Sequence, residues 1–208
     1  EACLETVQNR LKHIEEKLRG CPLNRDNLEN DQQVLEMLRD TLGDVVGAEY
    51  SKLLELCRYL DSIKWTGKAG SPRVIVFSER IKTLEVLKGH LGKRYQLDEK
   101  AVAVFHAGLP DVEQMQIVED FGKQDAPVRI LLASDVASEG VNLHYYCNHL
   151  VHFDIPWSLI TMEQRNGRID RYGQHETPHI VYLLTRSGVD DVKADLRIIE
   201  VLIRKEEW

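Results

Sequence analysis

No stretch of this chain approaches the roughly 18 to 20 consecutive apolar residues that a membrane-spanning helix needs. Its apolar runs are strand-sized, as in Arg73-Val74-Ile75-Val76-Phe77, so a soluble protein without a membrane partner is expected. Positive charge is in deficit: 27 Lys and Arg stand against 34 Asp and Glu, for a formal charge of -7. Such a chain does not coat nucleic acid through bulk charge, and any nucleic-acid contact must be local. The four cysteines, Cys3, Cys21, Cys57 and Cys147, form no C-x-x-C pair and have no partnering histidine spacing. That excludes a disulfide framework and a zinc site and fits reduced thiols in a cytoplasmic protein. No G-x-G-x-x-G turn occurs, which argues against an unrelated nucleotide-binding α/β protein. The first residue is Glu1, and no basic segment followed by an apolar one begins the chain; a piece of a longer protein without a secretory leader is expected.

What is present is the composition of an ordinary globular chain, 43% hydrophobic and 29% charged over 208 residues. Up to about residue 62 the apolar positions recur at helical spacing, with Leu11, Ile14 and Leu18, then Val34, Leu35, Leu38 and Leu42, then Leu53, Leu54, Leu56 and Leu60. Breaks are expected at residues 21–24 and 43–47. After a glycine-bearing and proline-bearing linker at residues 63–72, strand and helix patterns alternate. Strands are predicted at residues 73–77, 101–105, 128–132, 149–153 and 179–184. Helices are predicted at 79–91, 111–121, 158–172 and from about 190 onward. Five apolar strands separated by helices imply right-handed crossovers and a parallel sheet sandwiched by helices, an α/β fold with an N-terminal helical extension. Ligands of such sheets bind beyond the carboxyl ends of the strands, so the turns there are the place to look.

The turn after the third strand, Ala133-Ser134-Asp135-Val136-Ala137-Ser138-Glu139-Gly140-Val141-Asn142, is built of small residues whose amides can approach a phosphate. A solvated loop with Asp135 as a helix cap fits it equally. The helix after the fourth strand carries Gln164-Arg165-Asn166-Gly167-Arg168-Ile169-Asp170-Arg171-Tyr172-Gly173-Gln174. Arg168 and Arg171, three apart on a helix, would share a face and converge on a polyanion, for which the arginine fork is suited. An exposed basic helix paired with Asp170 and Glu163 is the alternative that the spacing leaves open. His149 and His152, three apart on a strand, point to opposite faces and make a poor metal pair.

Taken together, the loop at 134–142 and the segment at 164–174 resemble motifs V and VI of superfamily 2 helicases. The ending Arg168-Ile169-Asp170-Arg171-Tyr172-Gly173-Gln174 resembles the Swi/Snf-type branch, and Ser138-Glu139-Gly140-Val141-Asn142 is similar to the loop of bacterial translocases that recycle RNA polymerase. Residues 74–78 resemble motif IV, His106-Ala107-Gly108 the loop after the next strand, and residues 51–56 the lead-in helix of that lobe. The resemblance spans about residues 50–185 and implies a second, RecA-like motor lobe over 51–208, with 1–50 a helical extension or an insertion between lobes. The Walker A loop of the first lobe is missing: Gly67-Lys68, Gly92-Lys93 and Gly122-Lys123 all lack the following Ser or Thr, and Asp98-Glu99 follows no long apolar strand.

By that resemblance the chain does not hydrolyse ATP alone; ATP and Mg²⁺ would be held mainly by a first RecA-like lobe of the same chain. Arg171 would be the arginine finger, Arg168 its partner on the phosphates, and Gln164, Gly140 and Asn142 further nucleotide contacts. Arg165 is set aside because many relatives in this branch lack an arginine there. Ser78, Arg80, His106, Gly108 and Ser134 would touch nucleic-acid backbone, with double-stranded DNA favoured over RNA; Ser78 could equally be a helix cap and Gly108 a simple turn. Trp157 is expected to pack at a lobe interface. No metal is assigned to this chain. A non-catalytic nucleic-acid or protein-binding module is the competing reading.

Overall fold

The computed structural model describes residues 2–20, 25–46, 50–135 and 143–186, together with 195, 198, 200 and 201. It divides into two compact units, Glu1–Ser51 and Lys52–Trp208. The first holds α1 (Ala2–Gly20) and α2 (Arg25–Val46), which pack on each other. Val7, Leu11 and Ile14 recur at helical spacing on α1 and are buried. The break expected at Gly43 does not occur. Helix α2 runs through it to Val46, because an interior glycine costs a helix only about 1 kcal/mol and 22 residues carry that.

The second unit begins with α3 (Ser51–Ser62), then β1 (Arg73–Phe77), α4 (Ile81–Tyr95), a single 3₁₀ turn (Glu99–Ala101) and β2 (Val102–Phe105). It continues with α5 (Asp111–Phe121), β3 (Ile130–Ala133), β4 (Cys147–His152), α6 (Leu159–Asn166) and β5 (His179–Tyr182). Each strand lies where the sequence predicts one, displaced at its ends by no more than two residues. Asp98, part of the rejected Asp-Glu pair, caps the 3₁₀ turn by accepting from the Lys100 amide. Of the helix expected from residue 190, Asp195, Ile198, Glu200 and Val201 are described and are helical.

All strand pairs are parallel, in the order β2-β3-β1-β4-β5. Every residue of β1 and β3 is buried, as expected of central strands covered on both faces. One face carries Ile75, Phe77, Leu131, Ala133, Phe105 and Leu150, packed with Phe121 of α5 and with Ile169. The opposite parity, Val74, Val76, Ile130, Leu132 and Val151, faces the side of α3 and α4, whose Leu56, Leu60, Leu84, Leu87 and Leu91 are buried. Strand β4 contains a bulge: Arg73 pairs with Cys147 and Val74 with His149, so Asn148 is the extra residue. The bulge puts Cys147 into the first face's core, where burial pushes its thiol up to about 12.

The strand order fixes where a ligand can sit. From β1 the chain moves by α4 outward to β2, whereas from β4 it moves by α6 the other way to β5. β1 and β4 are neighbours, so their carboxyl ends flank the crevice at which the winding direction reverses.

Candidate functional site

Helix α6 rises from that crevice. Ser158 caps it, its Oγ accepting from the Thr161 amide at 3.3 Å. The helix is half as long as the sequence suggests. It stops at Asn166, and Gly167 closes it by donating to the Glu163 carbonyl at 2.8 Å. Two things end it there: glycine is a poor continuation, and the chain must bend to bury Ile169 completely in the sheet's core. Arg168 and Arg171 therefore do not share a helix face as expected. They lie in successive turns after α6, closed by Ile169 N to Asn166 O at 3.1 Å and Gln174 N to Arg171 O at 3.0 Å. Gly173 makes the second turn possible at φ +96°, a conformation that side-chain-bearing residues rarely adopt. Arg171 is exposed, Arg168 half-buried and Gln164 exposed on α6.

The centre of the crevice is occupied by the residue that the sequence reading sets aside. Arg165, 1% exposed, is the largest fully buried side chain among the described residues. Its Nε and Nη2 donate to Asp135 at 2.5 and 2.9 Å, its Nη1 to the Asp154 carbonyl at 2.9 Å and to His152 Nδ1 at 3.3 Å, and its Nη2 also to Asp154 Oδ1 at 3.4 Å. All donors of the fork are thus satisfied. The guanidinium also lies over the Phe77 ring, 5.4 Å from its centroid. The Asp154 carboxylate in turn accepts from Ser78 Oγ at 2.5 Å and from the Glu79 amide at 3.0 Å. One cation joins the loop after β3, the loop after β4 and, through Asp154, the loop after β1.

A second group adjoins it. His152 Nε2 donates to Asn166 Oδ1 at 2.8 Å, Asn166 Nδ2 donates to the Tyr182 hydroxyl at 3.0 Å, and the His152 and Tyr182 rings stack at 4.5 Å. Burial, with help from the Arg165 charge, holds the imidazole's pKa down at about 4. This network assigns the neutral tautomer with its proton on Nε2, since Nδ1 faces an Arg165 N–H. Glu79 is held above the ordinary carboxylate range by partial burial and by the charges of Asp154 and Asp135.

The nominated nucleic-acid contacts are placed unevenly. Ser78 is fully buried and its hydroxyl is engaged by Asp154, so it is not presented to a phosphate; it positions the loop. Ser134 is also buried, its amide donating to the Phe105 carbonyl at 2.9 Å. Arg80 is exposed at the start of α4. His106 Nδ1 accepts from the Gly108 amide at 3.1 Å, so that amide is already engaged within its own turn. A groove of about 1070 Å³ along the free edge of β2 has His106 in its wall but none of the Arg165 group. Gly140 and Asn142 lie outside the described residues. Trp157, expected to pack at a lobe interface, is 72% exposed on this lobe. His149 and His152 do face opposite sides, His149 bonding the Tyr59 hydroxyl at 2.7 Å and stacking on His179 at 4.9 Å.

The sequence names Asp135 only as a possible helix cap, gives Arg165 little weight and singles out neither Asp154 nor Asn166 for a role here, yet a signal existed. Leu159, Met162 and Arg165 are spaced three apart along the inward stripe of α6, and a lone arginine on such a stripe needs a carboxylate. Both strand ends beside it supply one.

A crevice at the carboxyl ends of β1 and β4, floored by a buried arginine and followed by an arginine-bearing turn, is thus the candidate site. The model of the helicase conserved C-terminal domain matches residues 51–173. The chain belongs to that family. A curated relative, described as an uncharacterized ATP-dependent helicase YqhH of Bacillus subtilis (strain 168), is 28% identical over 162 residues, covering 77% of this chain and 26% of the relative. The chain therefore spans about a quarter of that relative's length. Among solved structures, the C-terminal part of the Fun30 ATPase domain superposes with a TM-score of 0.59 at 16% identity, covering 96% of this chain and 66% of that one. Domain 2 of the DEAD-box helicase Mss116p, solved bound to an RNA duplex, gives 0.56 at 16% identity, covering 75% and 54%. Both likenesses establish the fold: a RecA-like helicase lobe. Among the described residues no helix is long and apolar enough to cross a membrane.

Proposed function

We propose that this helicase C-terminal lobe is the second motor lobe of an ATP-dependent DNA translocase or helicase of Swi/Snf type, akin to the bacterial translocases that recycle RNA polymerase. Its partner is a first RecA-like lobe that holds ATP and Mg²⁺, and the residues 1–50 form a helical extension or an insertion between the two. Arg171 is the finger, and Arg168 and Gln164 contact the phosphates; Gly140 and Asn142 complete the nucleotide side. The other face of the cleft, at Arg80 and His106, contacts the backbone of double-stranded DNA in preference to RNA, in the cytoplasm.

The observation that carries this reading is the turn after α6. Two glycines and the buried Ile169 fix the backbone of the turn that carries Arg168 and Arg171, with Arg171 exposed. Polyphosphate fits such a guanidinium pair, since each fork donates two parallel hydrogen bonds and keeps its charge at any pH. An arginine brought to a phosphoryl group from a second body is worth about 10³ to 10⁵ in rate. Closure of two lobes delivers it and opening withdraws it.

The test is the ATP hydrolysis rate of the complete two-lobe protein, for wild type and Arg171→Ala, without nucleic acid and with duplex DNA or duplex RNA. The reading expects DNA stimulation in wild type and a loss of about 10³ in turnover for the variant with nucleotide still bound. Hydrolysis at the wild-type rate by Arg171→Ala refutes the finger. Equal stimulation by RNA refutes the DNA preference, and no hydrolysis in either form favours a binding module.

A further inference from the structure

The Arg165 group is built like a linkage. It joins the loop that leads to Arg80, the residue of this segment assigned to nucleic acid, to the end of α6, from which the turns bearing Arg168 and Arg171 follow, and it does so through one side chain. Going from one side to the other, the Glu79 amide and Ser78 Oγ donate to Asp154, the Asp154 carboxylate and carbonyl accept from Arg165, and Arg165 belongs to the last turn of α6, three residues before Arg168. The same guanidinium holds Asp135, the last described residue before the loop at 136–142. A displacement of residues 78–80 must move Asp154, break its bond to Arg165, or carry Arg165 with it. Because the fork is planar and fully bonded, Arg165 has no second low-energy position within the crevice.

We infer that Arg165, with Asp135 and Asp154, is the positioning element that couples nucleic-acid contact at Arg80 to placement of Arg168 and Arg171. Arg165 itself, 1% exposed and enclosed by protein acceptors, touches neither ligand. This rests on the motor reading above. Its distinguishing consequence is that disturbing the linkage lowers the stimulation of ATP turnover by nucleic acid while nucleic acid and ATP are still bound. A side chain with a merely structural role would instead lower stability and all rates together.

The experiment uses the complete two-lobe protein and two variants. Arg165→Lys keeps the charge but cannot reach two carboxylates as a fork. Asp154→Asn keeps the shape and removes the charge that gathers Ser78, Glu79 and Arg165. For each, ATP turnover is measured with and without saturating duplex DNA, along with the KM for ATP, the Kd for DNA and the melting temperature. The expected result is a ratio of DNA-stimulated to unstimulated turnover at least tenfold below wild type, with KM and Kd within about threefold and cooperative melting retained. If wild type is stimulated and both variants are stimulated equally, the coupling role is overturned while the motor reading stands. If both variants lose cooperative melting, the linkage is a folding element and the coupling role is again overturned. If wild type shows no stimulation by nucleic acid, the motor reading fails and the linkage falls with it.

Discussion

Acidification should destabilise this chain through His152, and the size of the effect follows from the burial of that ring. The imidazole is fully buried, stacked on Tyr182, with Nδ1 accepting from Arg165 and Nε2 donating to Asn166. Burial of the ring, aided by the guanidinium N–H that faces Nδ1 where a second proton would enter, holds the native pKa at about 4, below the ordinary 6.5. The folded-state value is depressed, so the unfolded chain takes up a proton first as pH falls. The stabilisation is then whole above the ordinary value and is lost as pH drops from 6.5 toward 4. The full difference is worth roughly 3 kcal/mol, and by about pH 5 about 2 kcal/mol of it is gone. The burial of His149 beside His179 acts in the same direction. A His152→Gln variant isolates the one from the other, because it keeps a side chain able to donate and accept but removes the titration. Urea unfolding of the chain at about pH 7.5, 6 and 5 should show wild type losing roughly 2 kcal/mol more than the variant across that range. Parallel pH profiles for the two proteins would refute the argument, and with it the assigned tautomer.

Two further outcomes test the packing around the same crevice. Arg165→Met removes the cation between Asp135 and Asp154; breaking a fully buried pair costs about 3 to 5 kcal/mol, and partial exposure of both carboxylates lowers this to roughly 2 to 3. Urea unfolding near neutral pH measures it, and a loss below about 0.5 kcal/mol would show the ion pairs to be energetically idle. Gly173→Ala forces a side chain to φ +96° with its Cβ 3.4 Å from His144 Nε2, so about 1 to 2 kcal/mol should be lost, chiefly to backbone strain. Melting should fall by a few degrees, and an unchanged melting temperature would mean that the turn readily adopts another conformation.

The strands were legible in the sequence because central parallel strands, covered on both sides, leave continuous apolar runs with no polar interruptions, as Val74-Ile75-Val76 and Ile130-Leu131-Leu132 do. Helix ends were less legible, since they depend on what the chain must do next. Gly43 and Gly167 look alike as punctuation, yet α2 runs through the first and α6 stops at the second. What differs is the demand downstream: beyond Gly167 an isoleucine has to reach the core, whereas Gly43 lies within a helix with nothing packed where its side chain would be. The same demand places Arg168 and Arg171 in turns, and their shared face, argued from helical spacing, was the wrong geometric reason for grouping them.

The crevice shows why a site is read less well than a fold. Sequence patterns report what a residue is, and a serine or an arginine near a strand end reads equally as a ligand contact or as a support. Only the partners decide. Ser78 and Arg165 exchange expectations on this basis: the serine nominated for phosphate is buried against Asp154, and the arginine set aside holds three loops together. Those partners are 76, 30 and 11 residues away in the chain, spacings with no local period for a pattern to detect. Topology supplies them, because winding in opposite directions from β1 and β4 brings the ends of these two strands side by side. A buried arginine placed at that reversal can sense both strand ends at once, whereas the same side chain elsewhere on the sheet would hold only one loop. The position of Arg165 in the topology, more than its charge, is what makes it a linkage.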